Sequence, residues 1–214
     1  MSILEEISKN LQQGKAKTVK ELVQQAIDEG MSAKVILEDG LLSGMNIIGA
    51  KFKNNEVYVP EVLIAARAMN AGTALLKPLL AEDGVEAKGK VVLGTVKGDL
   101  HDIGKNLVRM MMEGKGLEVV DLGVDVPTDK FIDAAKETGA QIIACSALLT
   151  TTMGEMQSVV EAVKAAGMKD KVKIMIGGAP VTDNFCKQIS ADYYTPDAAS
   201  AAEVASKICI DMGK

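Results

Sequence analysis

Hydrophobic positions in the first 85 residues recur at intervals of three and four, which is the spacing of amphipathic helices. The main apolar members of the first three stripes are Leu4, Ile7, Leu11, Val19, Leu22, Val23, Ala26, Ile27, Leu41, Met45, Ile48 and Phe52. Extending the third stripe back by three residues from Leu41 reaches Glu38, a carboxylate in line with an apolar seam. A fourth helix is predicted after Pro60. The pattern therefore predicts a four-helix bundle as one domain over residues 1–85.

The pattern changes after a polar, glycine-containing segment at residues 81–90, which is typical of a linker. Short β-prone runs follow at Val91–Thr95, Leu117–Leu122, Gln141–Cys145, Val172–Ile176 and Asp192–Tyr194. Helices are predicted to begin near Gly104, Thr128, Met153, Asp183 and Ala198. Strands that alternate with helices predict a parallel sheet covered on both faces. We therefore expect a second domain over residues 91–214, an α/β fold with a doubly wound, flavodoxin-like or Rossmann-like sheet of five strands.

Composition narrows the classes of function. The net charge of −5 argues against a nucleic-acid partner, and no apolar run reaches the roughly 18 residues of a membrane span. Three cysteines stand far apart without a CxxC pair, which is typical of a reduced compartment. The single histidine excludes a site built from several histidines. We expect a cytoplasmic protein with no membrane partner and no nucleic-acid partner.

Candidate chemistry lies in loops that follow the predicted strands, where doubly wound sheets bind ligands. Asp99-x-His101 would give an imidazole oriented by a carboxylate, with one ring nitrogen left as an electron-pair donor. The plainer interpretation is a surface histidine beside a turn aspartate. A hydrolytic triad of Ser146, His101 and Asp99 is also open, although Ser146 lacks the Gly-x-Ser-x-Gly elbow. No Gly-x-Gly-x-x-Gly follows the first strand, which argues against NAD or FAD.

The three loops together resemble a known signature. Asp99-x-His101-x-x-Gly104, 41 residues, Ser146-x-Leu148, 28 residues and Gly177-Gly178 are similar to the cobalamin-binding signature of methionine synthase and of corrinoid methyl-carrier proteins. Residues 96–106 and 120–127 resemble that family's first loop and second strand, and residues 44–49 and 58–62 resemble its helical half. The resemblance covers nearly the whole chain.

The resemblance also implies residue roles. His101 would be the lower axial ligand of cobalt, Asp99 would hold its other ring nitrogen, and Ser146 would join that hydrogen-bond relay. The cofactor's displaced nucleotide tail would enter a slot lined by Ser146, Leu148, Thr150, Gly177 and Gly178, and Ala198 would contact the edge of the corrin ring. The remaining implied cofactor-binding residues are Gly98, Asp102, Ile103 and Gly104 in the histidine loop, and Glu38, Phe52 and Val59 in the helical domain. That domain would act as a cap that shields the methyl group.

The implied function is that of a corrinoid protein in a three-component methyltransferase system, because 214 residues lack the other modules of methionine synthase. The cofactor would be cobalamin or a related cobamide, cycling between methylcob(III)alamin and cob(I)alamin. One partner would be a substrate-specific methyltransferase. A second would transfer the methyl group to tetrahydrofolate or coenzyme M, and a reductive activase would be a further partner. The protein would carry the group with no catalytic residues of its own.

Three alternatives remain open from the sequence. One is a subunit of an adenosylcobalamin mutase, although those subunits lack this helical half. Another is a cobalamin-binding sensory or regulatory protein, although such proteins usually add a DNA-binding module. A flavodoxin-like receiver domain is the alternative by fold alone.

Overall fold

A computed structural model describes residues 2–213 and shows a first part built of helices. These are α1 (Ile3–Gln12), α2 (Ala16–Asp28), α3 (Ala33–Val35), a π-helix (Ile36–Leu42), α4 (Ser43–Lys53) and α5 (Val59–Glu82). Helix α1 begins with a capping box, in which Ser2 and Glu5 each accept a hydrogen bond from the other's backbone N–H. Ile7 and Leu11 of its predicted stripe are fully buried. The helical bundle is thus confirmed, with its third helix divided into segments.

The π-helix changes the expectation for one residue. Its hydrogen bonds join residues five apart rather than four, so the α-helical spacing does not hold across Ile36–Leu42. Leu41 and Met45 of the third stripe are buried, but Glu38 is exposed. The prediction that Glu38 lies in line with the apolar seam is therefore wrong, because the stripe was extended through a segment with a different period.

Strands and helices alternate in the second part of the chain. The strands are β1 (Lys90–Thr95), β2 (Glu118–Asp121), β3 (Ile142–Ser146), β4 (Lys173–Gly177) and β5 (Tyr193–Tyr194). The helices are α6 (Ile103–Glu113), α7 (Thr128–Thr138), α8 (Met153–Ala165), α9 (Asp183–Ile189) and α10 (Ala198–Met212), with a 3₁₀ turn at Thr150–Thr152.

The five strands form one parallel sheet in the order β2-β1-β3-β4-β5. This is the doubly wound order of flavodoxin-like folds, and it confirms the predicted fold class. The order reverses between β1 and β3, so the connections after these two strands leave toward opposite faces. Such a switch point opens a crevice at the carboxyl ends of the strands, and the loops that contain His101 and Thr150–Thr152 both begin there.

The two faces of the sheet are filled differently. One face carries large β-branched side chains, among them Val92, Ile143 and Ile174, which pack in one core with residues of α7 and α8. The other face alternates with it along each strand and carries Ala144 and Ser146 on β3 and Gly177 on β4. Helices α6 and α10 pack against each other and against strands of the sheet. The small residues on this second face leave space that large side chains fill on the first.

The chain divides into two compact units. The helical unit comprises the residues up to Ala87 together with Gly114–Gly116, and the α/β unit comprises Lys88–Glu113 and the residues from Leu117 onward. Within residues 2–213, no helix has the length and apolar character needed to cross a membrane.

Candidate functional site

The centre of the candidate site is the pair formed by Asp99 and His101 in the loop after β1. Asp99 is fully buried, and its Oδ1 accepts hydrogen bonds from Nδ1 of His101 at 2.8 Å and from the backbone N–H of His101 at 3.1 Å. A carboxylate can only accept, so the ring proton lies on Nδ1. The His101 side chain is 50% exposed. Its Nε2 therefore keeps a free electron pair and makes no hydrogen bond within residues 2–213.

The second oxygen of Asp99 is held by the loop after β3. Its Oδ2 accepts from the backbone N–H of Leu148 at 2.8 Å, from that of Leu149 at 3.1 Å and from Oγ1 of Thr152 at 2.8 Å. Burial by itself raises the pKa of Asp99, but the hydrogen bonds from Leu148, His101 and Leu149 outweigh it and hold that pKa well below its ordinary value. The carboxylate therefore stays ionised and its position is fixed on both sides.

The hydroxyl group that donates to Asp99 belongs to Thr152 and not to Ser146. Ser146 ends β3, and none of the hydrogen bonds among the described residues joins it to Asp99. The chain must continue past Leu148 and form the 3₁₀ turn before a side chain reaches the buried carboxylate. The family resemblance implied Ser146 for this position, and Thr152 was not among the predicted site residues. The available signal was the run of hydroxyl residues at Thr150–Thr152.

Asp125 makes two hydrogen bonds to the backbone of the histidine loop, and it was not among the residues predicted from the sequence. Its Oδ1 accepts from the backbone N–H of Gly98 at 2.6 Å, and its own N–H donates to the carbonyl of Asp99 at 2.9 Å. Asp125 has a φ of 52°, a left-handed conformation that non-glycine residues adopt rarely. Thr95, at the end of β1, donates from Oγ1 to the carbonyl of His101 at 2.8 Å. The backbone that carries the imidazole is therefore held at several points.

A slot of about 300 Å³ opens on the second face of the sheet, between the strands and helices α6 and α10. Five residues of the predicted site line it, namely Gly104, Ser146, Gly177, Gly178 and Ala198. Leu148 and Thr150, which the resemblance implied for the slot, are not among its lining residues. Leu148 instead uses its backbone N–H to hold Asp99, and Thr150 is exposed in the 3₁₀ turn.

The two adjacent glycines at the end of β4, Gly177 and Gly178, are required for different structural reasons. A Cβ on Gly178, whose φ is 136°, would lie 1.9 Å from the carbonyl oxygen of Ala147. Gly178 is therefore required by the close approach of two loops of the chain itself. A Cβ on Gly177 would meet only the carbonyl oxygen of Thr195, at 3.5 Å, which is an ordinary contact. A side chain at position 177 would therefore narrow the slot without straining the backbone.

An ion pair between the buried Lys105 and the half-buried Asp121 joins the first turn of α6 to the end of β2. Nζ of Lys105 lies 2.6 Å from both carboxylate oxygens of Asp121 and 2.9 Å from Oδ1 of Asn106. Burial raises the pKa of Asp121, but the hydrogen bond from Lys105, the N–H of Gly123 and the charges of Lys105 and Arg109 lower it below its ordinary value overall. Lys105 also lines the slot, and its positive charge is already paired with the carboxylate of Asp121.

Apolar side chains are exposed around the histidine loop. Leu100 is 71% exposed and Ile103 is 77% exposed, and Leu148 and Leu149 are also exposed beside Asp99. Exposed apolar surface that is concentrated around a polar group is typical of a binding site. Asp102, a further predicted site residue, accepts a hydrogen bond from Asn106 and is exposed.

The remaining predicted site residues lie in the helical unit. Glu38 is exposed in the π-helix, and Phe52 in α4 and Val59 at the start of α5 are half-buried.

Comparison with known proteins agrees with this geometry. A family described as B12 binding domain matches residues 89–203, and a second family of the same description matches residues 3–77. The chain therefore belongs to the corrinoid proteins, which bind cobalamin or a related corrinoid.

Two relatives illustrate the similarity. The chain is 40% identical to a corrinoid protein from Desulfitobacterium hafniense, over 97% of this chain and 98% of that protein. It is 42% identical to the dimethylamine corrinoid protein of Methanosarcina barkeri, over 96% of this chain and 97% of that protein. A chain in the crystal structure of the methanol:cobalamin methyltransferase complex MtaBC from Methanosarcina barkeri is similar with a TM-score of 0.88 and 31% identity, covering 97% of this chain and 79% of that one.

The residues of the α/β unit fit a corrinoid. Imidazole is a suitable ligand for a transition metal such as cobalt, and a carboxylate on its other nitrogen orients the ring and raises its basicity. The exposed leucine and isoleucine side chains offer apolar surface to a large macrocycle. The slot lies at the lower end of the volumes that small-molecule sites have.

Proposed function

We propose that this protein is a methyl carrier that binds a cobamide through His101 and passes a methyl group between two methyltransferases. The observation that supports this most directly is the hydrogen bond of 2.8 Å between the buried Asp99 and the exposed His101. When bound, the cobamide would supply a cobalt centre that accepts a methyl group from one partner and gives it up to another.

The chain's own residues would orient and tune the ligand. Asp99 keeps the ring proton on Nδ1, so Nε2 of His101 always presents its electron pair in one direction. Thr152 and the N–H groups of Leu148 and Leu149 fix the carboxylate and keep it ionised. Asp125 and Thr95 fix the backbone on which the imidazole is carried. Little reorganisation is then needed when the ligand bond forms.

The slot would receive the nucleotide tail of the cobamide, whose base His101 would replace as the ligand of cobalt. Ser146, Gly177, Gly178 and Ala198 line it, and Gly104 stands at its edge on α6. The absence of a side chain at Gly177 keeps the slot wide between β4 and the helices. For Glu38, Phe52 and Val59 we keep the predicted role of shielding the methyl group.

The partners we propose are a substrate-specific methyltransferase and a second methyltransferase that uses tetrahydrofolate or coenzyme M. Relatives of this chain are named as dimethylamine and trimethylamine corrinoid proteins, and a structural neighbour comes from a methanol:cobalamin methyltransferase complex. A small one-carbon donor of the methylamine or methanol class is therefore the proposed origin of the methyl group.

The proposal is tested by placing a methyl group on the corrinoid-loaded protein and then measuring its transfer to an acceptor. Reconstituted protein, chemically reduced and treated with radiolabelled methyl iodide, should retain the labelled methyl group through gel filtration. A corrinoid-specific methyltransferase should then move the label to tetrahydrofolate or coenzyme M. The variant His101→Ala is the comparison, and we expect it to lose the spectrum of the imidazole-ligated corrinoid. Protein that emerges without corrinoid, or methylated protein that no methyltransferase discharges, would overturn the proposal.

A further inference from the structure

The floor of the slot differs from its mouth in chemistry. Ser146 and Gly177 are paired in register at the ends of β3 and β4, and Ala144 and Met175 are paired two residues earlier on the same face. With a rise of about 3.3 Å per residue, this inner row lies roughly 6–7 Å below the mouth. Leu93 on β1 pairs with Ala144 and completes the row. The slot therefore has a defined depth along the strand direction.

Every side chain that closes the floor is apolar. The strands contribute Leu93, Ala144 and Met175, helix α6 contributes Leu107 and Met112, and helix α10 contributes Ala201. The two methionine sulfurs are only weak hydrogen-bond acceptors. Cys145 also borders the slot, but its side chain belongs to the core on the opposite face of the sheet.

The polar side chains of the slot stand at its mouth: the hydroxyl residues Ser146 and Thr195 lie at or just after the ends of their strands. The two charged residues, Lys105 and Asp197, are already engaged. Lys105 donates to Asp121 and Asn106. The carboxylate of Asp197 accepts from the backbone N–H and the hydroxyl of Ser200, where it caps α10. A group that reaches the floor therefore finds neither a strong donor nor a strong acceptor in the side chains around it.

We propose that this floor selects cobamides whose lower base is an apolar benzimidazole ring over cobamides whose lower base is a purine. The inference rests on the proposed function, in which the slot receives the nucleotide tail. The six-membered ring of a benzimidazole presents only carbon and hydrogen to its surroundings. The corresponding ring of adenine carries two nitrogens and an exocyclic amine, and burying these groups without partners is costly.

The test compares the affinities of the full-length protein for three corrinoids, measured by visible absorbance titration. These are cobalamin, the cobamide with adenine as its lower base, and cobinamide, which has no nucleotide tail. We expect cobalamin to bind at least about tenfold more tightly than the adenine cobamide, because an unsatisfied buried polar group costs about 1.4 kcal/mol or more. Cobinamide should also bind more weakly than cobalamin.

A variant with a polar floor should change the preference. Met175→Gln keeps the length of the side chain and introduces an amide donor and acceptor, so it should reduce the ratio of the two affinities several-fold. Met156→Gln is the matched control, because Met156 is equally buried but packs in the core on the opposite face. It should leave the ratio unchanged.

The possible failures are distinguishable. Equal affinities for cobalamin and the adenine cobamide, both above that for cobinamide, would overturn the selectivity while the tail still occupied the slot. Cobinamide binding as tightly as cobalamin would overturn the assignment of the slot to the tail, and the selectivity with it. If none of the three corrinoids bound, the proposed function itself would fail. The comparison in the unmodified protein decides the matter even where a glutamine variant does not fold.

Discussion

Replacing Thr152 by valine removes the hydroxyl that reaches Asp99 while keeping a branched side chain of similar shape. Oγ1 of Thr152 lies 2.8 Å from Oδ2 of Asp99 and 2.9 Å from the carbonyl oxygen of Leu149. Its single proton favours the ionised carboxylate, because hydrogen bonds to charged groups are the stronger ones. Thr152→Val therefore removes one charge-assisted bond from an aspartate that keeps its other partners.

The magnitude follows from that count. A hydrogen bond to a charged group contributes about 1.5–3 kcal/mol, so the free energy of unfolding should fall by about that amount. Groups that orient a metal ligand typically change affinity about 10–100-fold. Thr152 is one hydrogen bond further from the His101 imidazole than Asp99 is. Loss of its hydroxyl should therefore weaken cobalamin binding by about tenfold.

Urea denaturation of the apoprotein and absorbance titration with cobalamin measure the two effects. Thr151→Val is the matched control, since Thr151 is the preceding residue of the same turn and is exposed. Thr152→Ser should restore most of both quantities because it restores the donor. If Thr152→Val behaved like Thr151→Val, or if Ser146→Ala produced the stability loss instead, the assignment of the relay would be refuted.

Two further predictions concern the scaffold around the slot. Gly178→Ala should destabilise the fold by about 3 kcal/mol or more, because its Cβ would collide with the carbonyl of Ala147. Gly177→Ala should leave thermal stability nearly unchanged and weaken cobalamin binding. Equal stability losses in the two variants would contradict this prediction. Asp121→Asn should lower the free energy of unfolding at neutral pH by about 3–5 kcal/mol, because it leaves Lys105 without its charged partner. Since the pKa of Asp121 is lowered by folding, the stability of the unmodified protein should decline as the pH falls below the ordinary aspartate value of about 3.9, and the variant should lack that part of the decline.

Periodicity predicted the elements of the α/β unit closely because each strand is a short apolar run with a clear boundary. Helix α8 begins at Met153 and α9 at Asp183, which are the starts predicted from the sequence. The third bundle helix was predicted less well. A π-helical stretch at Ile36–Leu42 has no sequence signal in hydrophobic spacing, so the position of Glu38 could not be obtained by counting residues.

Some residues of the candidate site could likewise be predicted from the sequence, and others could not. Asp99-x-His101 is a local pattern, and a carboxylate two residues from an imidazole can reach it without help from the fold. Thr152 and Asp125 act on the histidine loop from residues more than 20 positions away, through turns whose conformation depends on the sheet order. Sequence spacing alone could not rank Thr152 above Ser146, because both are hydroxyl residues near the end of β3.

The reason for each glycine after β4 could also not be derived from the sequence. Two adjacent glycines suggest close approach of something to the backbone, but not whether it is a ligand or the chain itself. At Gly178 it is the carbonyl of Ala147, and at Gly177 it is the open slot.

The identity of the axial ligand is the central claim, and the electron paramagnetic resonance spectrum of the Co(II) form tests it most directly. The chain has one histidine, so ¹⁵N-histidine places the label in a single imidazole, that of His101. An axial ¹⁴N nucleus splits each cobalt line into three, and an axial ¹⁵N nucleus splits it into two. We predict that protein made with ¹⁵N-histidine and loaded with unlabelled cobalamin shows doublets. Triplets in that sample would mean that the cofactor's own base stays on cobalt, and would contradict ligation by His101.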